Sequence, residues 1–255
     1  MTDWNPTQYL RFGNERLRPA IELIDRINID SPETIYDLGC GTGSITAILQ
    51  EKWPNADVTG VDASPNMLDK ASQDYPELTW QQADLNTWAP STNPDIIYSN
   101  AAFQWTPNHE LLLPRLLGNI KDGGIFAIQL PNNWSEPSHA SICEISREPQ
   151  WNDRLEPHIM ENPVAEPLYY YDLLSPFSKS IDMWETTYMQ VLTGDYPVLE
   201  WTKGTVLPPL LAQLSQEEQK NFIDKYKSKL ASTYVKQNNG NTIFPFTRMF
   251  IICLL

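Results

Sequence analysis

Apolar positions in this chain alternate between two rhythms. Short β-favouring runs at 35–38, 57–61, 78–82, 95–99 and 125–130 read as strands, with 78–82 the weakest. Between them the spacing turns helical. It does so after Leu17 (Ala20, Ile21, Ile24, Ile27), after Ser44 (Ile45, Ile48, Leu49), from Ser64-Pro65 towards Tyr75, and over about 110–120, where Pro114 delays or kinks the helix. Strand and helix taking turns in this way predict a parallel, doubly wound sheet.

The second half has a different texture. Seven of the 21 prolines lie in 131–180, with Trp134, His139, Trp151 and the triplet Tyr169, Tyr170, Tyr171. So many aromatics suit a shaped, loop-rich cover better than a linker. A sixth strand is expected at 181–191. Mixed sequence follows at 194–214, then an amphipathic helix over 217–235 carrying Phe222, Tyr226, Leu230 and Tyr234. Asn238-Asn239-Gly240 is a turn, and 247–255 reads as the last strand. The expected architecture is α/β: a Rossmann-like, doubly wound, mostly parallel seven-stranded sheet with a helical lid inserted before the last strand. One domain over 1–255 is expected, with 1–30 as an N-terminal cover, 31–130 as the core, and 131–180 and 189–241 as lid segments.

Composition narrows the partners. At 255 residues one large core is within reach. A net charge of −14 disfavours a nucleic-acid face and an anionic membrane surface. Cys40, Cys143 and Cys253 are scattered, without disulfide or metal spacing, as expected in a reducing, cytoplasmic setting. No metal is expected, because His109, His139 and His158 lack ligand spacing and no carboxylate cluster completes a site. Glycine-serine-glycine nucleophile chemistry is also missing around Ser44.

The candidate chemistry gathers at 34–43, Thr-Ile-Tyr-Asp-Leu-Gly-Cys-Gly-Thr-Gly. A strand, three alternating glycines and a helix start make a nucleotide cradle. Asp62, ending the second strand, is placed to accept both ribose hydroxyls of an adenosine. A dinucleotide fingerprint would want a third glycine where Ser44 stands. An NAD-dependent oxidoreductase is the alternative of a different class. Asp84 is a candidate acceptor for an adenine amine, and Trp105 a wall of the cleft below Asn100-Ala101-Ala102.

Asp37-Leu38-Gly39-Cys40-Gly41-Thr42-Gly43 resembles motif I of the class I methyltransferases, which hold S-adenosylmethionine. Further stretches carry a closer likeness over nearly the whole length. They are Asp3-Trp4-Asn5-Pro6, Tyr9-Leu10-x-Phe12, Glu15-Arg16-x-Arg18-Pro19, Asn100-Ala101-x-x-Gln104-Trp105, Asn133-Trp134-x-Glu136-Pro137, Tyr170-Tyr171-Asp172 and Trp184-x-Thr186-Thr187-Tyr188. The chain resembles the trans-aconitate 2-methyltransferase family, although 147–168 matches poorly and Glu185 departs from a basic position. That resemblance implies carboxyl O-methylation of a small polycarboxylate. Its implied cofactor residues are Tyr9, Asp37, Gly39, Cys40, Gly41, Asp62, Ala63, Met67, Asp84, Leu85, Asn100, Ala101 and Trp105. Arg16, Arg18, Trp105, Trp134, His139, Tyr170 and Arg248 are the expected substrate-positioning residues, with no catalytic base. The rival within the same chemistry is a carboxyl methyltransferase acting on a malonyl carrier protein, which would need a basic docking face. A monomer or weak homodimer taking a small molecule, with no nucleic acid and no membrane, completes the expectation.

Overall fold

The computed structural model describes residues 13–255, with side chains from Leu17 onward. Trp4, Tyr9, Arg11 and Phe12 therefore lie outside the described residues. Arg16 is in a described helix, but its side chain also lies outside the description.

Seven strands form one sheet: β1 (Thr34–Leu38), β2 (Asp57–Asp62), β3 (Thr79–Gln82), β4 (Ile96–Asn100), β5 (Ile125–Pro131), β6 (Ser180–Leu192) and β7 (Thr242–Leu254). Their order is β3-β2-β1-β4-β5-β7-β6. The pairs β1–β2, β1–β4, β2–β3 and β4–β5 are parallel, and β5–β7 is antiparallel. The order reverses beside β1, because the chain crosses back to place β4 there. Such a reversal is where open α/β sheets bind ligands. This is the expected mostly parallel, doubly wound sheet.

The chain divides into two compact units. A sheet unit comprises Gly13–Pro131, Val164–Thr186 and Arg248–Leu255, and a helical unit includes Asn132–Pro163 and Thr187–Thr247. In the sheet unit, β5 is buried at every position, as a strand covered on both faces must be. The helix Gly13–Arg26 begins earlier than its apolar spacing suggests and carries Pro19 in its interior. It buries Ala20, Leu23 and Ile24, and Tyr98 of β4 donates its hydroxyl to the Ala20 carbonyl at 3.1 Å.

The helical unit has its own core. Helices Pro137–Ser146, Pro197–Lys203 and Gln216–Thr233 bury Ile142, Trp201, Phe222 and Tyr226 together with Phe244 and Phe246. The long helix starts at Ser215, whose hydroxyl accepts from Glu218 N while the Glu218 carboxylate accepts from Ser215 N. The Tyr226 hydroxyl donates to the Ser138 carbonyl at 2.8 Å, tying this helix to Pro137–Ser146.

Three expectations need correction. The last strand starts at Thr242 rather than 247, because Phe244 and Phe246 are buried by Trp201 (5.7 and 5.4 Å between ring centroids). The mixed stretch 194–214 holds two short helices, Pro197–Lys203 and Pro208–Leu211, each opened by a proline that fixes φ for a first turn. The proline-rich stretch 131–180 is not one piece: its residues from Val164 onward pack with the sheet unit, including the helix Pro167–Leu174.

Candidate active site

The glycine turn after β1 is held by backbone bonds. The amides of Gly39 and Cys40 both donate to the Val61 carbonyl, at 2.7 and 3.1 Å. Gly39 (φ +77°) lies so close to Ala102 that an added Cβ would sit 2.1 Å from the Ala102 Cβ. Two small residues thus let the ends of β1 and β4 meet, which larger side chains would forbid. Gly41 (φ +56°) differs: among the described residues, a Cβ there would meet nothing within 4 Å.

Two aspartates flank the turn. Asp62 Oδ2 accepts from Gly41 N at 2.9 Å and Oδ1 from Ser64 N at 2.8 Å, leaving further lone pairs on both oxygens. Burial raises its carboxyl above the ordinary range, against the pull of the Ser64, Gly41 and Ala63 amides. Asp37 is buried inside β1 and accepts the Thr46 hydroxyl at 2.6 Å. Burial pushes its carboxyl up to about 7, opposed by the Thr46 bond and reinforced by the nearby Asp62 charge. Cys40 is a buried thiol, raised well above its usual value by that burial, and so is no nucleophile.

The end of β4 is the third wall. Ala101 has φ +54°, uncommon for a residue with a side chain, and is held there by its amide donating to Gln129 O. Gln104 Nε2 returns a bond to Ala101 O at 2.6 Å. Among the described residues, nothing partners the buried atoms Asn100 Oδ1 and Gln104 Oε1. Unmet buried acceptors beside the glycine turn point to a bound ligand with donors. Trp105 follows on the turn Phe103–Trp105 and is half-buried. Leu85 and Met67 are buried and Ala63 half-buried. Met67 N donates to the Ser64 cap at 3.4 Å.

Other expected site residues are placed as follows. Asp84 is exposed, and its Oδ1 already accepts from the Asn86 amide and side chain at 2.9 and 2.8 Å. Trp134 and His139 lie in the helical unit, ring against ring at 4.8 Å. Burial lowers His139 to about 4, and its Nδ1 lies 3.3 Å from Asn133 Nδ2 and 3.0 Å from Ser138 Oγ. Tyr170, expected as a wall, has no exposed surface. Its hydroxyl is 2.8 Å from His109 Nδ1 and accepts from Ala165 N, so it anchors its own helix instead of facing a ligand. Arg18 is exposed and bonds Glu22 at 3.0 Å. Arg248 is buried, with Nη1 donating to Gln129 Oε1 at 3.0 Å. Gln129 was not expected. A single polar residue inside the otherwise apolar 125–131 was the signal that could have found it. Among the described residues, no three His, Cys, Asp or Glu side chains are grouped to hold a metal, and no helix is long and apolar enough to cross a membrane.

A cradle of this kind in a sheet of this order defines a class I methyltransferase domain, and the family described as "Methyltransferase domain" matches residues 35–124. The chain is 41% identical over 254 residues to the trans-aconitate 2-methyltransferase of Azoarcus sp. (strain BH72), covering all of both chains. It is 39% identical to that of Escherichia coli O1:K1 / APEC, covering 99% of this chain and 98% of that one. The chain belongs to the trans-aconitate 2-methyltransferase family. Among solved structures, the fold is shared with the YcgJ protein from Bacillus subtilis, at a TM-score of 0.60 and 16% identity, covering 93% and 98% of the two chains. It is shared too with Haemonchus contortus phosphoethanolamine N-methyltransferase 2 in complex with S-adenosyl-L-methionine, at a TM-score of 0.59 and 18% identity, covering 97% and 56%.

Proposed function

We propose that this protein transfers the methyl group of S-adenosylmethionine to a carboxylate of trans-aconitate, or of a closely related small polycarboxylate, giving a monomethyl ester. Full-length identity of 41% to a trans-aconitate 2-methyltransferase is the observation that carries this reading. The bound cofactor supplies an electrophilic methyl on a sulfonium. The residues present fit it. Among the described residues, nothing fills the space a Cβ on Gly41 would take, Asp62 keeps lone pairs for ribose hydroxyls, and Asn100 Oδ1 is an acceptor lacking a donor.

The chain's own task is to hold and orient. A carboxylate, with an ordinary pKa near 4, is ionised at neutral pH and needs no base to become a nucleophile. Alignment alone contributes much of such a rate. Among the described residues, Asp37 lies inside the sheet and burial raises the Cys40 thiol, so neither is proposed as a base. Arg16, Arg18 and Arg248 are the proposed clamps for acceptor carboxylates, since guanidinium groups bind them through paired donors. Trp105, Trp134 and His139 are proposed to shape the acceptor's surroundings. A net charge of −14 supports a small-molecule acceptor over nucleic acid or a membrane surface, and a cytoplasmic monomer or weak homodimer is part of the same proposal.

The test is incubation with methyl-labelled S-adenosylmethionine and a panel of small polycarboxylic acids, followed by mild base. Base-labile label on trans-aconitate is expected. A base-stable product would mean nitrogen or carbon methylation and would overturn the ester assignment.

A further inference from the structure

One face of the sheet unit brings together the polar side chains of Asn100, Gln129 and Arg248. Asn100 and Gln129 are register partners on β4 and β5, so their side chains share a face. Gln129 also pairs in register with Phe250 on β7, and Arg248, two residues before Phe250, therefore points to the same side. Level with Gln129 on this face, Phe250 stacks on Trp184 (4.6 Å), and Arg26 of the helix Gly13–Arg26 lies over that indole (4.3 Å).

The amide of Gln129 has a fixed orientation. A guanidinium only donates, so Arg248 Nη1 selects Oε1, and the NH2 must turn the other way. There, among the described residues, Nε2 has no partner, although Gln129 has no exposed surface. Asn100 Oδ1 is equally unmet, so these two register neighbours do not satisfy each other. A buried amide donor without an acceptor is costly, a cost retained where a ligand meets it. Asn100 and Ala101 beside it are half-buried.

We propose that Gln129 and Arg248 form the subsite for a non-reacting carboxylate of the acceptor, with Gln129 a specificity-determining residue. This rests on the polycarboxylate reading above. The Gln129 N–H donor beside the Arg248 guanidinium suits a carboxylate, which accepts from both. A neutral group in that place would gain only the weaker share of the same bonds.

The experiment compares the wild type, Gln129→Met and Gln129→Glu on trans-aconitate and on itaconate, mesaconate and glutaconate, each of which lacks a different one of its carboxylates. Gln129→Met keeps the length and removes the donor. Gln129→Glu keeps an oxygen for Arg248 and puts a negative charge beside the ligand. For trans-aconitate, KM is expected to rise roughly tenfold or more in the first variant, and further in the second, while kcat stays within a few-fold. Calorimetric affinity for S-adenosylhomocysteine should be unchanged in both. For the one dicarboxylate missing the carboxylate that sits on Gln129, the variant and wild type should have the same KM. An unchanged KM for trans-aconitate overturns the subsite, as does an equal rise for every dicarboxylate that is methylated or a loss of S-adenosylhomocysteine binding in both variants. A wild type that binds S-adenosylhomocysteine but methylates none of the four acids defeats the polycarboxylate reading itself, and this subsite with it.

Discussion

The carboxylate of Asp62 accepts the amide of Gly41 at 2.9 Å, so the end of β2 grips the turn that follows β1. The same carboxylate is the proposed ribose acceptor, which couples loop shape to cofactor binding. Asp62→Asn keeps one oxygen but turns an NH2 towards either Gly41 N or Ser64 N, donor against donor. S-adenosylhomocysteine affinity is expected to fall at least about tenfold by calorimetric titration. An unaltered Kd would remove Asp62 from the cofactor site.

Gly39 and Gly41 should respond differently to the same substitution. Gly39→Ala places a methyl 2.1 Å from Ala102 Cβ at φ +77°, and roughly 2–4 kcal/mol of stability should be lost. Gly41→Ala meets no atom of the described residues within 4 Å and should cost only about 1–2 kcal/mol for its positive φ. Its methyl instead enters the space above the turn and should weaken S-adenosylhomocysteine binding. Denaturant melts and titrations of both variants check this; equal losses of stability would refute the contrast.

His139 makes the helical unit sensitive to acid. Its folded pKa is lowered to about 4 from 6.5, so the folded state binds fewer protons than the unfolded chain between those values. Its share of stability is complete above 6.5 and declines as pH falls towards 4, by about 2 kcal/mol at pH 5. His139→Gln should therefore lose less stability between pH 7 and 5 than the wild type. Parallel melting curves for the two proteins across that range would count against it.

Asp37 carries the opposite sign. Its carboxyl is raised from 3.8 to about 7, so its contribution is complete below 3.8 and is lost as pH climbs through about 7. Asp37→Asn should flatten the decline in Tm from pH 5 to 8. An unchanged slope would show that the carboxylate is tolerated without penalty.

The cap of the helix Gln216–Thr233 is a separate test of the helical unit. Ser215→Ala removes the hydroxyl that accepts from Glu218 N and should cost about 1 kcal/mol in denaturant unfolding. S-adenosylhomocysteine affinity should not change.

Much of the sheet unit could be read from local pattern. Short apolar runs with glycine or proline at their ends marked β1 to β5 within a residue or two, and Ser64-Pro65 marked a capped helix start. These signals are local because a buried parallel strand must be apolar along its length. The last strand begins five residues before the run 247–255 that its sequence suggests. Its first part alternates, with Phe244 and Phe246 inward, and only the aromatic core around Trp201 makes that alternation a strand.

Sequence alone determined the strand–glycine–helix cradle, the acidic end of β2 and the family likeness, since each depends on residue types at fixed spacing along the chain. Tertiary structure decided what distant residues become to one another. Tyr170 pairs with His109 across 61 positions, and Arg248 orients Gln129 across 119. The antiparallel placement of β7 between β5 and β6 brings Arg248 and Gln129 together. No periodicity encodes such a meeting, because hydrogen bonds between side chains depend on where folding puts them and not on their separation in sequence.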